Sequence, residues 1–414
     1  MQSSNSITYS ILQANTKQNV EKGKIVLLDL DRIMIHDGTG PVVAETLEKY
    51  GITDLNATDK TVLIFDHYFP AKTSREAFLQ KKAREFANKY QIPLYPGKGI
   101  SHHILAEKGL VRPGTILVGG DSHTCTAGAF GVYASGYGAT DIAACIKTGK
   151  LWLEVPDVIK VHLVGRPQDS INTYDVALKI VGTIGTSGAL GKVLEFYGPA
   201  LKYLKMQERM KISNFAVETG ALAGIFDIDE ICCDWCKKRG ISFNEKLVDC
   251  GKVNTSFDYE INVSEIDKVV ARPSKPDLIC GEEEFAPVKV NQVFIGSCSA
   301  GFLKDIRISA ETIKGKQVHS DVRLLIAPAT EKVLNDALEL GYIQTLIAAG
   351  AVILPPGCGA CLGNIGALAD GEVEVATQNR NFIGRVGSKK AKIYLASAET
   401  AINVAISGTI GRKV

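Results

Sequence analysis

The chain has 414 residues, 45% hydrophobic and 22% charged, enough to bury more than one core and too long for one ordinary domain. Its 47 basic and 45 acidic residues leave a formal charge of +2, so the total implies no field for a polyanion and nucleic acid is not an expected partner. Ten cysteines over this length are too few for a disulfide scaffold and fit a reducing compartment, where thiols pack, react or bind metal.

Residues 1–24 are polar, with neither an apolar signal core nor an Arg-rich presequence, and no segment approaches the roughly 18 apolar residues of a membrane span. A cytoplasmic protein with no membrane partner is expected. From Gly23 onward the runs at 25–28, 61–65 and 115–118 read as largely buried strands, alternating with helical patterns such as 74–90. Residues 158–164 alternate apolar and polar as a half-buried strand does and run into a turn at Gly165-Arg166-Pro167. Pro273 and Pro276 mark a break within the polar stretch 272–277, and strand-helix alternation resumes from Val288. The expected class is α/β in three units, 1–157, 158–275 and 276–414.

Two Gly-lined strand ends in the last unit carry cysteine. Gly296-Ser297-Cys298 follows the run at 293–295, and Pro356-Gly357-Cys358-Gly359-Ala360-Cys361-Leu362-Gly363 follows 351–354. Glycine lets backbone approach a bulky inorganic group and leaves amides free to face its sulfurs. Three thiolates suffice for a [4Fe-4S] cube with one iron left open as a Lewis acid. Taken alone, Cys358 and Cys361 equally fit a redox or zinc pair, and three cysteines with a water fit zinc. Cys233 and Cys236 repeat the spacing without glycines and read as structural, on a helix following 227–230.

Asp121-Ser122-His123-Thr124, Gly296-Ser297-Cys298, the Cys358/Cys361 loop and Asn379-Arg380-Asn381-Phe382-Ile383-Gly384-Arg385 stand in the order found in the aconitase family, which the chain resembles from 22 to 412. The resemblance implies three α/β domains around a central [4Fe-4S] cluster held by Cys298, Cys358 and Cys361. It implies a hydro-lyase that dehydrates a 2-hydroxy diacid and rehydrates it on the neighbouring carbon. Asp66 and His67 resemble the paired acid, with His67 protonating the leaving hydroxyl. His102, Asp121 and His123 would surround the open iron and its water, and Glu218 would bond to that water. His36, Asp37, Ser122, Asn214, Asn379, Arg380 and Arg385 are expected to bind a hydroxy-dicarboxylate, the arginines through planar forks. Asn214 and Glu218, four apart, would share a helix face.

The chain stops at Val414 without the swivel domain that carries a serine base and a further arginine in full-length members, so a small subunit bearing that domain is the expected partner. A 2-alkylmalate of the 3-isopropylmalate type stands ahead of homocitrate-type, citramalate-type and specialised-metabolism diacids. A non-catalytic iron-sensing relative is the reading from another class. The chain departs from the family where Ser299-Ala300-Gly301-Phe302 replaces the usual Thr-Asn-Gly-Arg. Ser101 and His103 flank His102 where Cys and Gln are common, and Ala360 replaces Pro.

Overall fold

Short Val/Ile/Leu runs build three main sheets in turn along the chain, in a computed structural model that describes residues 6–248 and 256–411. Residues 1–5 of the polar N-terminal stretch, and Arg412 at the end of the family resemblance, lie outside the described residues. The first sheet is parallel, in the order Leu94–Pro96, Thr61–Phe65, Arg32–His36, Ile116–Gly119, Tyr133–Gly136. Every residue of Thr61–Phe65 is buried, as a parallel layer covered on both faces requires. The second sheet orders Ala223–Phe226, Val193–Tyr197, Val158–Val164 and Tyr259–Asn262, again in parallel. Along Val158–Val164 burial alternates residue by residue, as its sequence pattern predicts.

The third sheet has a parallel centre of Lys392–Leu395, Val373–Ala376, Gln292–Ile295, Arg323–Ile326 and Val352–Ile353. Antiparallel Val270–Ala271 and Ile279–Cys280 extend one edge, so strands on both sides of the proline break join this sheet. Among the described residues no helix is long and apolar enough to cross a membrane.

Two expectations need correcting. The run at 25–28 is not a largely buried strand: Ile25–Asp29 pairs with Lys150–Glu154 in a two-stranded antiparallel ribbon, leaving Ile25 65% and Leu27 45% exposed. The polar N-terminal stretch, in turn, contains the helix Ile7–Ala14, capped by Ser6, with Ile7, Ile11 and Leu12 buried. Its interspersed Ser, Gln and Asn mask an apolar stripe at four-residue spacing. The buried Glu195 carboxylate anchors it, accepting from Ser6 Oγ at 2.5 Å and Thr8 N at 2.8 Å.

Cys233 and Cys236 lie on the helix Glu230–Lys237, with Cys232 and Cys236 turned inward and Cys233 half-buried. Asp229 caps that helix and also grips the wholly buried Arg209 at 2.5 and 2.8 Å, while Arg209 donates to the carbonyls of Leu201 and Leu204. Arg209→Met strands the carboxylate and both carbonyls, and is expected to destabilise the protein by about 3 kcal/mol. The denaturant midpoint reads this, and a loss below about 1 kcal/mol would put the pair with weak surface bridges.

Candidate active site

Neighbouring parallel strands of the first sheet bring their carboxyl ends together, the usual location of chemistry in an α/β layer. His36 ends Arg32–His36, Asp66 and His67 follow Thr61–Phe65, and Asp121 follows Ile116–Gly119. Facing them are residues after strands of the third sheet: Cys298 after Gln292–Ile295, Cys358 after Val352–Ile353, and Asn379 after Val373–Ala376. The second unit contributes Asn214 and Glu218.

Asp66 Oδ1 lies 2.7 Å from His67 Nδ1, and its Oδ2 accepts from Ser101 N at 2.7 Å and Ser101 Oγ at 2.8 Å. On the far side of the ring, His67 Nε2 is 3.1 Å from Asp121 Oδ2. Asp121 Oδ1 meets His102 Nε2 at 3.2 Å and accepts from His123 N at 2.7 Å. Burial alone would depress His67, but Asp66 and then Asp121 outweigh it and hold the imidazolium well above its ordinary value. Burial likewise works against ionised Asp121, yet His102 and His67 keep it well below the usual carboxylate range.

His36 stacks on His67 with ring centroids 3.7 Å apart and planes 14° from parallel. Its Nε2 donates to Gly120 O at 3.0 Å, and its Nδ1 accepts from Gly38 N at 3.0 Å, which fixes a neutral tautomer. Burial, and then the neighbouring His67 charge, push His36 down to about 4. Asp37 is turned to the backbone: its carboxylate accepts from His67 N at 3.0 Å, Tyr68 N at 2.9 Å and Gln80 Nε2 at 3.2 Å. Ser122 is exposed, its Oγ 3.5 Å from His123 Nδ1.

The shared helix face expected for Asn214 and Glu218 does not form, because the α-helix Met206–Phe215 tightens into a 3-10 turn at Ala216–Thr219. Glu218 Oε1 therefore reaches His123 Nε2 and Arg380 Nε, each at 2.8 Å. Asn214 instead donates to Thr126 Oγ1 at 2.8 Å and accepts from Asn379 Nδ2 at 2.7 Å. Asn379 Nδ2 also lies 3.2 Å from Cys298 Sγ. Asn379 Oδ1 and Arg385 Nε are buried without a hydrogen-bond partner among the described residues.

The residues fit an iron-sulfur cube better than a single ion. Three thiolates on one tetrahedral zinc would stand about 3.8 Å apart. Among the described residues, the possible ligands gathered within 4.8 Å are His36, Asp37, Asp66 and His67, not the three cysteines. Both nitrogens of each of those imidazoles are already engaged. Burial, and then Cys361, push the Cys298 thiol up to about 12, so metal binding there would have to displace a tightly held proton. Cys361 is held below its ordinary value by a hydrogen bond from Cys358 and then by Arg385. The Gly357–Cys358 backbone packs against the Asp66-His67 segment: Cys358 N donates to Asp66 O at 2.8 Å, and a Cβ on Gly357 would lie 2.9 Å from that oxygen.

Two departures from the family pattern touch each other. His103 Nε2 donates to Cys298 O at 3.0 Å, and its ring packs 4.5 Å from that of Phe302. Lys211 Nζ, bonded to Asp305 at 2.6 Å, lies 5.4 Å from the same phenyl ring. Sequence reasoning missed Ser101 as the anchor of Asp66 and Thr126 as the partner of Asn214. Ser101 stood next to the candidate His102, while Thr126 sits two residues beyond the Asp121-Ser122-His123-Thr124 motif.

The model of the aconitase family (aconitate hydratase) matches residues 9–287 and 279–408. The 3-isopropylmalate dehydratase large subunit 1 of Methanopyrus kandleri is 39% identical over 403 residues, covering 97% of this chain and 96% of that one. The 3-isopropylmalate dehydratase large subunit of Thermoanaerobacter pseudethanolicus is 42% identical over 411 residues, covering 98% of each. In fold the chain resembles the crystal structure of Thermococcus kodakaraensis aconitase X in its holo-form, with a TM-score of 0.53 at 13% identity, covering 96% of this chain and 94% of that one.

Proposed function

The chain belongs to the aconitase family, and on that premise we propose that it is the large subunit of a hydro-lyase of the 3-isopropylmalate dehydratase type. It removes water from a 2-alkylmalate and returns it with the hydroxyl on the neighbouring carbon. The observation that carries this reading is the His67 imidazole set between the carboxylates of Asp66 and Asp121, with the Asp66 backbone bonded to the cysteine loop. We read the chain as three domains bounded near 157 and 275, with the strand Val270–Ala271 crossing the second boundary to join the third sheet.

Family members bind a [4Fe-4S] cluster, and Cys298, Cys358 and Cys361 would hold it here. When bound, it supplies a Lewis acid that polarises the bond to the leaving hydroxyl. Hydroxide is a poor leaving group near neutral pH and needs a proton as well. His67 provides it from Nε2, exchanging its contact with Asp121 for the leaving oxygen, since Asp66 fixes the ring through Nδ1. Asp121 keeps His67 and His102 aligned through its two oxygens. His123 Nε2 and Glu218 Oε1 lie 2.8 Å apart, and this pair would receive the departing water. Arg380 spends Nε on Glu218, which leaves its terminal nitrogens for a substrate carboxylate, and Arg385 offers a second fork. The relatives' names speak of a large subunit; we infer a small subunit carrying the swivel domain, which brings the base for the carbon-bound proton.

His67 acts while protonated, and its pKa lies above 6.5, so the alkaline limb of kcat/KM falls above that pH. Asp66→Asn removes the strongest influence raising that value and is expected to move the limb downward; an unmoved limb would assign the acid elsewhere. The linked stability has the same sign, complete below the ordinary value of 6.5 and lost as pH rises through the raised one.

The direct test is anaerobic purification with the co-expressed small subunit, iron and sulfide analysis, and absorbance of the unsaturated diacid from 3-isopropylmalate, citramalate and homocitrate-type substrates. Cluster with turnover of 3-isopropylmalate is expected, and absence of iron would overturn the reading.

A further inference from the structure

The strands that carry the acid at their carboxyl ends carry a different group of charges at their amino ends. Arg32 opens Arg32–His36, Lys60 precedes Thr61–Phe65, and Thr115 precedes Ile116–Gly119. There a cavity of about 540 Å³ is walled by Arg32, Lys60, Lys108, Arg112 and Arg239, with Asp31 and Asp59 as its only carboxylates among the described residues. Strands of this length separate it from the acid by about 15 Å.

Five cations against two carboxylates exceed the formal charge of +2 on the whole chain, so the pocket concentrates a field that the composition hides. The carboxylates cancel only part of it. Asp31 accepts from Arg112 Nη2 at 2.7 Å, but its other oxygen is given to Ile116 N at 3.1 Å. Lys60 Nζ donates to a neutral group, Leu30 O, at 2.8 Å, and the Arg239 guanidinium lies 4.3 Å from the Trp235 ring, which positions the charge without neutralising it. Arg32 Nε is buried with no hydrogen-bond partner among the described residues. A concave wall of three guanidinium and two ammonium groups is chemistry for an oxyanion. The volume suits a small molecule.

We propose that this pocket is a second ligand site, which binds a small multivalent oxyanion of the phosphate-bearing class. It does not rest on the hydro-lyase reading. The probe is inorganic pyrophosphate, titrated calorimetrically into the full chain with its small subunit at ionic strength fixed with chloride. Saturable binding is expected, weakened about tenfold or more by Lys108→Gln with Arg239→Gln, two exposed positions outside the active site. Arg380→Lys should leave it unchanged, which separates this pocket from the carboxylate forks of the active site. Binding that survives the double substitution, is lost in Arg380→Lys, or is absent would overturn the proposal. Displacement of pyrophosphate by a single-stranded oligonucleotide at equal phosphate concentration would also overturn it, by assigning the pocket to nucleic acid.

Discussion

Cys298→Ser is expected to reduce iron from about four atoms per chain to less than one and to take turnover below detection. The serine oxygen is smaller and harder than sulfur, a poor match for cluster iron, while Asn379 Nδ2 and Ser297 Oγ around it remain able to bond to a hydroxyl. The fold should therefore persist, with an unchanged far-ultraviolet circular dichroism spectrum. Cys236→Ser supplies the control, because Cys233 and Cys236 share the spacing of Cys358 and Cys361 but lie on a helix outside the site. Its iron should match the parent's. Full iron in Cys298→Ser would remove that residue from the ligand set.

The second large effect is expected from His67→Asn, which should lower kcat by about 10²–10⁴-fold with cluster content intact. Asparagine can still meet one of the flanking carboxylates but cannot carry a transferable proton. KM should change far less than kcat, since the carboxylate forks are assigned to Arg380 and Arg385. A loss falling mainly in KM would make His67 a substrate contact rather than the acid.

Much of this arrangement is legible in the sequence because its residues sit where strands end. Asp66-His67, Asp121 and Cys298 each follow a short apolar run closely, and such runs are readable from β-branched residues and their flanking glycines. What the sequence hides is how each side chain is used. Asp37 and His36 look like substrate contacts in a loop, yet one carboxylate fastens the backbone of 67–68 and one neutral ring lies flat on His67. The four-residue spacing of Asn214 and Glu218 was misleading because a change from α to 3-10 winding leaves no mark in composition. The ribbon at Ile25–Asp29 reads like any buried strand, since an apolar run carries no sign of whether a layer will cover it. The five cations of the pocket, Arg32 among them, are scattered from 32 to 239 and vanish into a balanced total.

The bond from Cys358 N to Asp66 O ties the first third of the chain to the last. A ribosome delivers Asp66 and His67 long before Cys358, so during synthesis the acid pair has no cysteine loop against it. The amide that completes its surroundings arrives with the last sheet, after both earlier sheets have had time to form. The surroundings of Asp66 and His67 and the three cysteines proposed to hold the cluster are thus completed at the same late stage of synthesis.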